Sequence, residues 1–223
     1  MEFTRALMFP FDDEDWLKKL GLGVLISLIP VVGGITLQGW AFEISKRVKR
    51  SDPTPLPDWS DFGGLLKQGF MLFLANLIYQ IPTLLFACLS GFVWLLPMMG
   101  AGNEDVMAAL GGLASIVVIC CSCLIALYAL AAAVVYWGAY IRYIDNPEFG
   151  TFFQIGENFA IVKDNIGDFG MALLYTILAG AISGIVSGTV IGGLLVTAFL
   201  SYFTGHILGQ LAAKVSKPST PQV

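Results

Sequence analysis

Apolar positions in this chain run in long unbroken stretches, not in the short amphipathic repeats of a water-soluble domain. Residues 20–42, 65–97 and 106–141 each supply the roughly 20 apolar residues that a helix needs to cross a bilayer. The last stretch, residues 166–213, is too long for one crossing. At 1.5 Å per residue it would reach roughly 70 Å, against a hydrocarbon core of about 30 Å. It must therefore fold back, and the glycine-rich segment 188–193 is the expected turn. The pattern predicts an all-α, polytopic transmembrane helical bundle: four full spans plus a first segment that spans or re-enters.

That first segment is interrupted by "PVVGG", residues 30–34. Pro30 removes a helix donor and Gly33-Gly34 permits a tight turn, so the segment reads either as a kinked span or as a hairpin that dips in and returns. Amphipathic pieces lie between the stretches. Trp59, Phe62, Leu65, Leu66 and Gly69 share a helical face, as do Phe149, Phe152, Phe153, Gly156 and Ala160. Asp13 is placed to cap a short helix carrying Trp16, Leu17 and Leu20. These pieces read as interfacial helices. Residues 1–213 are expected to form one membrane domain, with 214–223 as a flexible cytoplasmic tail.

Composition agrees with a membrane setting. The chain is 57% hydrophobic and 13% charged, with a mean hydropathy of +0.78. A soluble domain carries roughly 25% charged residues, so half that amount would not cover a water-exposed surface. The net charge of −4 argues against a nucleic-acid partner. The acidic start, "FPFDDEDWLKKLG", and the lack of a small-residue cleavage site lead us to expect that the first hydrophobic segment is retained.

The distribution of positive charge predicts topology. Lys46, Arg47, Lys49 and Arg50 crowd into one loop, and cytoplasmic loops are enriched in such residues. From there the chain alternates. The acidic loop 98–105 lies outside, Arg142 and Lys163 inside, the uncharged 188–193 turn outside, and Lys214 and Lys217 inside. Arg5, Lys18 and Lys19 join the cytoplasmic side only if the first segment turns back. The expected location is the cytoplasmic membrane, with the C-terminus cytoplasmic.

Candidate chemistry is sparse. Gly180, Gly184, Gly188 and Gly192 recur every fourth residue, as do Ser201, Gly205, Gly209 and Ala213. Small residues at that spacing let helices approach closely in lipid. The expectation is that the last two helices pack on each other through them, with a face for self-association or a partner helix as the sharper reading. Asn76 and Gln80, near Pro82, and Tyr202, His206 and Gln210, on one stripe, are candidates for a polar cavity. The cysteines Cys88, Cys120, Cys121 and Cys123 stand in apolar runs without nearby His or carboxylate, and read as membrane-helix side chains. The apolar cores of the later spans hold no Asp, Glu, Lys or Arg, and no known catalytic motif is present. Neither an enzyme nor a cofactor is expected.

The motifs "FPFDDEDWLKKLGLG", "LIPVVGGITLQGW", "LPDWSDFGGLLKQGF", "YQIP" and "GHILGQ" occur in an order that resembles the domain-of-unknown-function family 4013, polytopic membrane proteins of bacteria and archaea. The resemblance covers nearly the whole chain. It departs at Ser51-Asp52, where a Gly is expected after the basic run. The family implies topology and no activity. The functional expectation is a structural or organising role: helix packing, and contact with membrane lipids, a further copy or a partner membrane protein. The alternative is a passive transporter or channel for a small solute, lined by Asn76, Gln80, Tyr202, His206 and Gln210.

Overall fold

A computed structural model describes residues 1–215, and these are helical almost throughout. The helices are α1 (Phe3–Met8), α2 (Trp16–Ser27), α3 (Val32–Lys49), α4 (Phe62–Val93), α5 (Glu104–Asp145), α6 (Ile155–Asp164), α7 (Ile166–Val186) and α8 (Val190–Val215). Short 3-10 turns precede α2 and α6, and another lies between α4 and α5. Among the described residues four segments are long and apolar enough to cross a membrane: Phe62–Gly100, Glu104–Asp145, Ile166–Val186 and Gly192–Val215. The expected fold-back of the last stretch falls at residues 187–189. Of the proposed tail, Lys214 and Val215 belong to α8; Lys217 and the rest lie outside the described residues.

The chain divides into two compact units. The first comprises Met1–Ala75 and the chain from Trp137 onward, the second Asn76–Tyr136. Helices α4 and α5 pass from one to the other.

The first unit is organised around α3. Leu37, Trp40, Phe42, Ile44 and Ser45 point in all directions from this helix, and none is more than 1% exposed. A helix that buries so many large side chains belongs at the centre of its unit, while its charged residues Glu43, Lys46 and Arg47 stay partly exposed. Helices α2 and α3 form an antiparallel hairpin. Gly33 lies against the Ile26 carbonyl, Gly23 against Leu37, and Trp59, whose Nε1 donates to Lys19 O at 2.8 Å, stacks on Trp40. The turn itself corrects the sequence expectation. Gly33 and Gly34 do not supply it; they lie in the first turn of α3. Val31 does, at φ 64° and ψ −58°, with Val32 N donating to Pro30 O at 2.7 Å. This is a γ-turn of the strained form, on a β-branched residue. Gly33 is required for close approach instead: a Cβ there would stand 2.1 Å from Ile26 O.

Two interfacial pieces also differ from expectation. Phe62 to Gly69 is the start of α4, continuous with the span, because nothing in it breaks the helix. The Phe149 to Ala160 face is divided between a 3-10 turn, Phe149–Phe153, and α6. Asp13 does not cap α2 from its N-cap position, which is Asp15. Its Oδ1 accepts from Asp15 N and its Oδ2 from Lys19 Nζ, fixing the approach to the helix.

In the second unit α4 carries Pro82 inside the helix, and Gln80 accepts a hydrogen bond from Thr83 Oγ1 at 3.0 Å. Tyr128 Oη donates to Tyr79 O at 3.0 Å, tying α5 to α4. Asn103 opens α5 by accepting from Asp105 N and Val106 N. Large apolar side chains such as Leu85, Phe92, Ile116 and Leu127 are exposed, which suits lipid.

Candidate functional site

The basic cluster Lys46–Arg50, His206 and Gln210 lie in the first unit, toward the C-terminal ends of α3 and α8. Helix α3 ends in a Schellman motif. Asp52 N donates to Arg47 O and Ser51 N to Val48 O, both at 3.0 Å, with Ser51 at φ 57°. The departure noted at Ser51-Asp52 thus falls on a left-handed backbone position, where Gly carries no steric penalty. The following loop folds back over α2 and α3. Trp40 Nε1 donates to Pro57 O at 3.1 Å, and Lys19 Nζ to Leu56 O at 3.1 Å. Burial by itself would lower the Lys19 pKa. Hydrogen bonds and charge from Asp13 and Asp58 outweigh it, so the pKa is raised above its ordinary 10.5.

Close backbone approach holds α3 to its neighbours. At the α3–α4 crossing a Cβ on Gly39 would stand 1.9 Å from Leu65 O, and one on Gly69 1.8 Å from Ile35 O. At the α3–α8 crossing a Cβ on Gly205 would stand 2.5 Å from Ala41 O, and one on Gly209 2.8 Å from Ser45 O. Ser45 Oγ joins three helices. It bonds Ala41 O at 3.0 Å, Gly205 O at 2.7 Å and Tyr140 Oη at 2.9 Å.

The last two helices do pack on each other as expected, but not through Gly180, Gly184, Gly188, Gly205 or Gly209. Gly205 and Gly209 pack on α3, not on α7. Gly180, Gly184 and Gly188 have no atom within 4 Å of a would-be Cβ. Helix α7 buries Phe169, Ala172, Ala179 and Ser183 instead. Successive residues are about 100° apart, so Gly184 is turned well away from the Ser183 contact. Ser201 Oγ bonds its own helix at Thr197 O.

The basic cluster is mostly paired. Glu43 holds Lys46 and Arg47, and Lys49 pairs with Asp145 at the end of α5. Arg142 reaches Asn158 Oδ1 at 2.8 Å, Gln154 Oε1 at 2.6 Å and Glu157 at the start of α6. Lys214 pairs with Asp168 in the first turn of α7.

Of the five polar-cavity candidates, Asn76 and Gln80 belong to the second unit and the other three to the first. Tyr202 is buried with Phe9 and Phe199 at its ring edges. His206, only 3% exposed, stacks on Phe9 with ring centroids 4.4 Å apart. Gln210 Oε1 accepts from Glu2 N at 2.7 Å, and its Nε2 donates to Glu2 O at 3.2 Å. Those two bonds fix the amide orientation. Gln210 Nε2 is then also the donor to His206 Nδ1 at 2.9 Å, and the neutral imidazole carries its proton on Nε2. His206 and Gln210 line a cavity of about 560 Å³, shared with Glu2, Arg5, Asp12 and Asp52. The contribution of α1 and Glu2 had no sequence signal: six residues carry too little periodicity to mark a helix.

Four helices long and apolar enough to cross a membrane define a polytopic helical membrane protein. The chain belongs to the family described as "Protein of unknown function (DUF4013)", which matches residues 22–206. Over 93 residues it is 30% identical to the uncharacterized protein MJ1189 of Methanocaldococcus jannaschii, a stretch covering 40% of this chain and 32% of that protein. The match thus spans about a third of that relative's length. No solved structure matches.

Proposed function

We propose that the protein is a non-catalytic organiser of the cytoplasmic membrane, acting through helix packing and contact with lipids or partner membrane proteins. The observation that carries this reading is the use made of its buried polar side chains. Ser45 ties α3 to α5 and α8, and Gln210 ties α1 to α8 while holding His206. These groups serve as links between helices, and an intramembrane enzyme would need them free. The C-terminus is cytoplasmic in this reading. Support comes from the ion pairs Lys49–Asp145 and Lys214–Asp168, which bring the ends of α3, α5 and α8 and the start of α7 to one end of the first unit. The α2–α3 hairpin brings Lys19 to Asp58, beside that same loop. A reporter fused after Val223 should be active only in its cytoplasmic form.

The organising role is tested by reconstitution. Purified protein in sealed vesicles should leave the leak of ions, glycerol and small dyes at the level of empty vesicles. Saturable flux of any of them would replace this reading with the passive transporter.

A further inference from the structure

The cavity at the α1–α8 contact has features that the organising role does not use. Its lining mixes charges of both signs over an apolar floor of Phe9, Val48 and Pro55. Arg5 takes part in no ion pair among the described residues, and neither do Glu2 and Asp12. Asp52 accepts only from Thr54 in its own loop. Arg5 and His206 line the same cavity. Charges that share a space without pairing leave room for a molecule between them.

His206 supplies the second observation. Its Nδ1 is taken by Gln210, so Nε2–H is its remaining donor, with no partner among the described residues. Among the described residues the buried side-chain polar atom left wholly without a partner is Ser90 Oγ; His206 is instead among the residues that line the cavity. A nearly buried imidazole, with Nε2–H as its remaining donor, thus lines a space that is also lined by a guanidinium. Two such donors suit an oxyanion. Inorganic phosphate alone would meet the three carboxylates and be repelled. A group with a phosphate at one end and an ammonium at the other satisfies both sets. The volume lies within the range of small-ligand sites, and Lys214 in the lining marks the charged end of a membrane-crossing helix, where lipid headgroups lie.

We propose that this cavity binds a zwitterionic phosphate–ammonium group, its phosphate on Arg5 and the Nε2–H of His206 and its ammonium among Glu2, Asp12 and Asp52. The group would come from an ethanolamine-type phospholipid headgroup or from its free counterpart. The site is independent of the flux test above, since binding there requires no transport.

His206 is the chain's only histidine, so ¹⁵N-histidine labelling gives one imidazole to follow. The intact protein in dodecyl maltoside micelles, which carry neither phosphate nor ammonium, is titrated with phosphoethanolamine, inorganic phosphate and ethanolamine. Phosphoethanolamine should move the Nε2 resonance saturably, and more tightly than either half alone. Arg5→Gln should weaken it roughly tenfold, as loss of a charge-assisted pair does. Asp12→Asn, at an exposed position that cannot compromise folding, should weaken phosphoethanolamine and not phosphate. Nanodiscs of phosphatidylethanolamine identify the source. A resonance already at its bound position there assigns the lipid headgroup, and one that still needs the free ligand assigns the soluble form. An imidazole unmoved by phosphoethanolamine and by phosphatidylethanolamine overturns the proposal. So does equal affinity for inorganic phosphate, or binding indifferent to Arg5→Gln.

Discussion

Two sets of glycines behave in opposite ways in this protein, although Gly205 and Gly209 share the four-residue spacing of Gly180, Gly184 and Gly188. Gly205 and Gly209 on α8, and Gly39 and Gly69 at the α3–α4 crossing, stand where a methyl group would strike a neighbouring backbone. Gly180 and Gly184 on α7, and Gly188 in the turn that follows it, face open space. The difference teaches that small-residue spacing specifies a permissible approach, not an actual one. Approach happens where a second helix offers backbone to meet. Helix α3 does so on two sides because it lies at the centre of its unit. In lipid, where apolar attraction between helices is weak, such van der Waals and Cα–H···O contacts hold helices together.

The comparison is broken most directly at the α3–α4 crossing. Gly69→Ala places a methyl carbon 1.8 Å from Ile35 O, with backbone on both sides and no flexible side chain to yield. The helices must separate, at an expected cost on the order of 3 kcal/mol or more. Thermal unfolding in detergent measures it, and a variant as stable as wild type would mean that this crossing is not formed. Gly205→Ala is the milder version. Its Cβ would lie 2.5 Å from Ala41 O, so a smaller shift relieves it, and a loss of about 1–3 kcal/mol is expected in the same assay.

These contacts mark where sequence reasoning reached and where it stopped. The spans and the final fold-back were legible because a 30 Å core imposes a length on each helix. The α2–α3 hairpin was legible as one of two alternatives, through Pro30 and the surplus of cations that only a hairpin gathers. The partner of each glycine was not legible. A stripe on α8 looks the same whether α3 or α7 fills it, and α3 itself was hidden inside a longer apolar run. His206 and Gln210 were found as a stripe, but the partner of Gln210, Glu2, lies 208 residues away and leaves no local pattern.

Glycine's second use, backbone freedom, sharpens the contrast from the other side. Ser51 occupies a left-handed position at the end of α3 where Gly has no steric penalty. It is exposed, so its side chain contributes little packing. Ser51→Gly should stabilise the protein by about 0.5–1 kcal/mol, the relief of strain being partly offset by a freer unfolded chain. A lower unfolding temperature for this variant would contradict the left-handed backbone at the cap.

The smallest effect is expected on α7, and it is the one that decides whether the comparison is real. Gly184→Leu adds four carbons to a helix face that meets no atom of the chain within 4 Å. Leu is at least as favourable as Gly in a membrane helix, so insertion is not impaired. The buried stripe through Ala172, Ala179 and Ser183 is left untouched. The change in stability should stay within about 0.5 kcal/mol, the range of substitutions away from packed features. Ile185→Ala, on a residue 86% exposed, is the matched control and should behave alike. A loss above about 1 kcal/mol for Gly184→Leu alone would show that this face is occupied in the solubilised protein. Repeating the melt across a range of protein concentrations would then separate the two ways of occupying it. A second copy makes the loss vary with concentration, whereas a contact within the chain leaves it constant.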